Sequence, residues 1–329
     1  MEQTKNNIIT IKQTKDDMAV IEPITITTVR SDTIYQKIME APLNHKDDIY
    51  RYELMKPFEQ KLAMYHCPLK AKEPGGYDAI MASGMMGYLL PTKIDASKEE
   101  SITLLKDDIF WEQCRTSIEK VLKCFTDSGV ELPVKEYVFS ILLADPESPY
   151  SIMNDNYCGD GGIPGYILGS LVPSDYTKSR LPVALAHETN HNVRFQFEKW
   201  RNDISLGAYM VCEGLAENFA TYLYGEDKVG PWVSKTDMQT LNEYIKPLMR
   251  EALDAQGFDN ITSYMYGDEM AKMRDFIPVG MPYCAGYACG YHLVKYYLKK
   301  TGKSIIEATL TSSLEILEDA QGFWDEVSE

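Results

Sequence analysis

No apolar run in this 329-residue chain approaches the length needed to cross a bilayer. The opening MEQTKNNIITIKQTKDD has neither the basic start nor the apolar stretch of a secretory signal. Positive charge is scarce: 33 Lys and Arg against 49 Asp and Glu leave a formal net charge of −16. Nucleic acid and anionic membrane surfaces both call for a basic face, so neither is expected as a partner. The seven cysteines are odd in number and form no CxxC pair, which reads as reduced thiols and a cytoplasmic location. Internal repeats and low-complexity tracts are missing too. What remains, 44% hydrophobic and 25% charged, is the composition of an ordinary globular protein with one large or two medium domains.

Histidine is also scarce, at five residues, yet two of them fall four apart in LPVALAHETNHNVRFQFEKW. On a helix that spacing puts His187 and His191 on one face, where both imidazoles can reach one ion. Glu188 lies about 100° round from His187, beside such an ion, where a carboxylate can act on an activated water. This is the HExxH signature of zinc peptidases. His45 and His66 have no partner at a useful spacing and read as structural.

Two histidines do not complete a zinc site; a catalytic one needs three protein ligands and an open position. Arg194 and Phe197 stand where a metzincin needs Gly and His, which excludes that class. Glu198 lies two turns beyond His191, roughly 10 Å along the helix and too far to share the ion. The remaining carboxylates are in Cys212-Glu213-Gly214-Leu215-Ala216-Glu217, on a helix expected at about 206–224. Glu213 is the preferred third ligand, with Glu217 the alternative. One turn on, Glu217 is otherwise placed to accept a hydrogen bond from the far nitrogen of a ligand histidine. Gly214 is expected to let these two helices approach closely.

Elsewhere the chain reads as strands around Ile8–Ile11 and Ile21–Val29, then helices near 32–41, 47–65, 76–88 and 101–127. YVFSILLA (137–144) is an interior strand. In GGIPGYILGSLVP, Pro164 points to an edge strand beside the catalytic helix. Gly165 and Tyr166 on it are candidates to hold an extended substrate as an added strand. A helix over 282–300 offers Tyr287, Tyr291 and His292, in that order, to stabilise a developing oxyanion. Gly286 and Gly290 form its close-packing stripe. Gly302-Lys303-Ser304 is not a phosphate loop, since Tyr297 stands where that motif needs Gly; it reads as a helix C-cap followed by an N-cap.

HExxH with a Glu some twenty residues on resembles the gluzincin class of zinc peptidases. More narrowly, HETNHNVRF, EGLAENFA and GYACGYHLVKYYLKKTG resemble a bacterial family of predicted zinc-dependent proteases, over roughly residues 135–305. The resemblance implies an α+β, zincin-like fold. Its features would be a small mixed sheet with an edge strand beside the active-site helix and a mostly helical C-terminal lobe. It implies one zinc ion per chain, held by His187, His191 and Glu213. Three regions follow: 1–130 of unassigned role, 131–200 as an upper catalytic lobe and 201–329 as a helical lower one. The expected function is hydrolysis of peptide bonds in a peptide or protein substrate, with Glu188 as general base. A catalytically silent scaffold with a binding role, or a metal hydrolase of a non-peptide amide, are the alternatives.

Overall fold

The computed structural model describes residues 23–328. The strand expected around Ile8–Ile11 lies outside them, while the second appears as β1 (Thr25–Val29). Its run of Thr, Ile and Val suits a pleated, half-buried surface. β1 pairs in parallel with β2 (Glu136–Leu143), β2 in parallel with β4 (Tyr166–Leu171), and β3 (Tyr157–Ile163) closes the order β1-β2-β4-β3 antiparallel to β4. β2 is interior, which is why its apolar residues run without alternation. The fold is α+β: a small mixed sheet within a mostly helical chain.

The edge strand beside the HExxH helix is therefore β3, not the segment after Pro164. Pro164 and Gly165 make the turn into β4, with Gly165 at a φ of 87° that a side chain would resist. Tyr166 consequently sits on an interior strand, its hydroxyl donating to Gln60 at 2.7 Å. The missing N–H of Pro164 fits a tight turn as well as an edge, and here it serves the turn. A second correction concerns residues 101–127. They form two helices, Glu99–Leu105 and Asp108–Asp127, because Asp107 leaves helical geometry and caps the N–H groups of Ile109 and Phe110.

The HExxH helix runs from Asp175 to Phe197, opened by a Ser174/Thr177 capping box. It lies against β3 so closely that a side chain on β3 would collide with it. A Cβ at Gly159 would stand 2.2 Å from Glu188 Cγ, and one at Gly161 would stand 2.1 Å from the Glu188 carbonyl oxygen. The returning helix, Leu206–Tyr224, is capped by Ser205 and ends at Gly225. Gly214 does not mediate its contact with the HExxH helix. A Cβ there would meet the carbonyl of Gly290, 2.1 Å away, on the helix Ala285–Thr301. A Cβ on Gly290 would in turn meet the carbonyl of Met210 at 2.2 Å. These two helices touch backbone to backbone. Arg194, fully buried, donates to the carbonyls of Thr309 and Thr311 and to Ser313 Oγ, tying the HExxH helix to the C-terminal segment. One contiguous buried cluster runs from Ile34 to Trp324.

Candidate metal centre

One helical turn separates His187 from His191, and the returning helix brings Glu213 between them. The Nε2 atoms of the two histidines are 3.0 Å apart, and each is 3.2 Å from Glu213 Oε2. All three residues are buried. Bonds of about 2.0–2.1 Å at the tetrahedral angle separate two zinc ligands by about 3.3 Å, so the donor spacing fits one face of a zinc tetrahedron. Two imidazoles and a carboxylate are also the ligand chemistry such an ion takes. Among the described residues this is the group of three or more His, Cys, Asp or Glu side chains that could hold a metal ion.

Behind the three, Glu217 Oε2 accepts from His187 Nδ1 at 2.8 Å, which leaves Nε2 free for the ion. Glu217 is itself fixed by the Gly230 N–H at 2.5 Å and the Trp232 indole N–H at 2.7 Å. His191 has no counterpart: its buried Nδ1 lacks a partner among the described residues, and its ring stacks on Phe195 at 5.8 Å. Burial pulls the His187 imidazole down, but hydrogen bonds to Glu213 and Glu217 outweigh it and hold the group well above its ordinary value. Burial pushes the Glu213 carboxyl up, yet the charge of His191 and the hydrogen bonds of both histidines bring it down to about 2. If Glu217 fixes the His187 tautomer, Glu217→Gln should weaken metal binding roughly 10–100-fold. Competition against a zinc chelator would measure this, and an unchanged affinity would remove Glu217 from that role.

Glu188 lines the same cavity as the three ligands and reaches β3, where its Oε2 accepts the Gly161 N–H at 2.7 Å. Burial raises its carboxyl above the ordinary range, against the pull of His187 and His191. A shift in that direction makes the carboxylate a better proton acceptor. The strand explains the contact. Val172 N–H donates to Asn156 O, and the register pairs Cys158 with Ser170 and Asp160 with Leu168. Antiparallel alternation then turns the main-chain groups of Gly159 and Gly161 away from β4. Those of Gly161 are taken by Glu188 and by Asn192 Nδ2, which reaches its carbonyl at 2.9 Å. Those of Gly159 have no partner on the HExxH helix; its carbonyl receives only the Cys158 thiol, at 3.4 Å, and the residue helps to line the cavity.

Of the other expected site residues, Tyr287 lines the same cavity. Burial holds its phenol well above the ordinary range, so it remains a hydrogen-bond donor. Beside it, the hydroxyls of Tyr209 and Tyr266 are 2.5 Å apart. Tyr291 and His292 do not line the cavity. One further turn, about 6 Å of rise, carries Tyr291 past it, with Lys295 over its ring. His292 is rotated to another face, where burial lowers its imidazole to about 4. Gly165 and Tyr166 lie outside it as well, for the topological reason given above.

Sequence reasoning did not reach Gly159, Gly161, Lys61, Tyr65 or Trp232, all cavity residues. The spacing of glycines in CGDGG is a usable signal, because Gly within a strand marks a close approach of backbone. Lys61 pairs with Asp160 across 99 residues of chain, and no local pattern announces such a contact.

Residues 110–318 match the family described as "Predicted Zn-dependent protease (DUF2268)". The chain is 36% identical over 284 residues to the uncharacterised protein YjfC of Bacillus subtilis (strain 168), covering 86% of this chain and 94% of that one. No solved structure matches it. The matched segment begins in the helix Asp108–Asp127, which packs on the HExxH helix, and takes in β2 to β4, both helices of the metal centre and the helix bearing Tyr287. The chain therefore belongs to this family of predicted zinc-dependent proteases.

Proposed function

We propose that the protein is a zinc-dependent peptidase of the gluzincin type on a zincin-like scaffold, with one zinc per chain held by His187, His191 and Glu213. The observation that carries this reading is the placement of Glu188. Its carboxylate is beside a three-ligand cluster of zinc spacing, is raised in basicity, and is aimed by Gly161 at the edge strand. Bound by these three residues, zinc would supply Lewis acidity for a scissile carbonyl and would lower the pKa of a water toward neutrality.

The chain's own groups do the rest. Gly159 offers its main-chain N–H and C=O to an extended substrate laid along β3. Glu188 takes the proton as the water oxygen bonds to the carbonyl carbon. It then delivers that proton to the amine nitrogen as the C–N bond breaks. Tyr287, held as a neutral phenol, donates to the carbonyl oxygen as negative charge develops there. The reading also assigns the protein to a reducing compartment, in keeping with seven cysteines that are all free thiols. No helix among the described residues is long and apolar enough to cross a membrane.

Metal analysis of the purified chain by mass spectrometry, together with cleavage of an unbiased peptide library, tests the proposal. One zinc per chain with internal peptide cleavage is expected. Zinc with no cleavage of any peptide would turn the reading to a binding role on the same scaffold.

A further inference from the structure

The cavity around the three ligands has a volume of about 570 Å³ and extends well beyond them. Away from the ligands its walls are apolar. Met55, Phe58 and Met86 come from the N-terminal third, Phe195 from the HExxH helix, and Met270 from beyond the returning helix. Five more lining residues, Tyr65, Tyr77, Met85, Trp200 and Phe258, keep 37–66% of their surface exposed. Large apolar side chains left in water round a concave opening mark a binding surface. The mixture also matters. Methionine reshapes to fit varied apolar groups, and aromatic rings supply area with little loss of conformational freedom.

The acidic groups in the cavity narrow what can bind; the exposed Arg274 lines it too. Asp160 is paired with the buried ammonium of Lys61 at 2.6 Å. Glu188 is held by Gly161, and Glu213 by both histidines. None of these three carboxylates is left to receive the free ammonium of a peptide terminus. Main-chain groups for a strand-like ligand are present, at Gly159, and apolar surface extends from there to the mouth.

Building on the peptidase reading, we infer that the substrate is an internal, extended segment of an unfolded or flexible polypeptide rich in bulky apolar side chains. Its backbone follows β3, and its Leu, Met, Phe or Tyr side chains enter the methionine- and aromatic-lined cleft. Recognition is by apolar class rather than by a defined motif, and a free amino end is not needed.

The test uses the full zinc-loaded chain carrying Glu188→Gln, with fluorescence anisotropy of labelled decapeptides blocked at both ends. Peptides rich in Leu and Phe should bind at least roughly tenfold more tightly than Ser- and Asn-rich ones. The pair Met85→Ser and Tyr65→Ser at the exposed mouth should weaken the apolar peptides by roughly tenfold. Ile109→Ser, on a side chain 72% exposed and outside the cavity, should leave binding unchanged. Equal affinity for both peptide classes, or a requirement for a free amino terminus, overturns the inference. The two readings fail separately. Apolar peptides that bind yet are never cut by the parent chain would sink the peptidase and keep this inference. Cutting that ignores side-chain polarity would do the reverse.

Discussion

Glu188→Gln should still bind one zinc per chain but hydrolyse peptides roughly 100- to 10,000-fold more slowly, the usual contribution of a positioned acid–base group. The substitution is chosen for what it spares. The Gly161 N–H needs only an oxygen to donate to, and the side-chain carbonyl of the amide provides one at the same place. The contacts among His187, His191, Glu213 and Glu217 do not involve residue 188, so the ligand set is undisturbed. What is lost is the lone pair that accepts a proton at neutral pH. Zinc content and stopped-time peptide assays on the same preparation give the answer. A variant that cuts as fast as its parent would remove Glu188 from the chemistry, whatever the metal does.

The second large effect is on folding. Gly290→Val should destabilise the protein by more than about 3 kcal/mol, because the new side chain would enter the main chain of the neighbouring helix. The obstacle is the carbonyl of Met210, 2.2 Å from the added Cβ, and a backbone group cannot swing aside as a side-chain tip can. The helices Leu206–Tyr224 and Ala285–Thr301 would have to part, and Glu213 rides on the first of them. Loss of zinc should therefore accompany the loss of stability. Gly129→Ala is the comparison: it has a φ of 81° but nothing within 4 Å, so only backbone strain of about 1–2 kcal/mol is expected. Urea denaturation of both variants separates the mechanisms. Similar costs at the two sites would mean that the helices tolerate separation.

The parts of this site that the sequence revealed are those set by helical periodicity. His187 and His191 meet because they are four apart, and Glu217 meets His187 because it follows Glu213 by one turn on a helix that returns. The parts it concealed depend on contacts between distant segments. Pro164 announced an interruption of the sheet, but the residue that cannot donate to a ladder serves a turn as readily as an edge. The edge strand beside the HExxH helix therefore lies one hairpin arm earlier than the proline suggests. Gly214 announced a close approach without saying to what, and the partner is 76 residues downstream at Gly290. Tyr291 shared the spacing of Tyr287, but where a helix passes a cavity is set by tertiary packing. The N-terminal third carried no motif, because a wall residue such as Lys61 has meaning only once Asp160 is opposite it.

Trp232 gives the metal centre a consequence outside chemistry. Its indole N–H and the His187 ring share the Glu217 carboxylate, and the two rings are 5.7 Å apart, edge to face. Loading and stripping of an ion at this site would alter the charge close to an indole, whose emission responds to such fields. Emission from this indole should therefore report occupancy, so that a metal titration in a cuvette could be followed without any label.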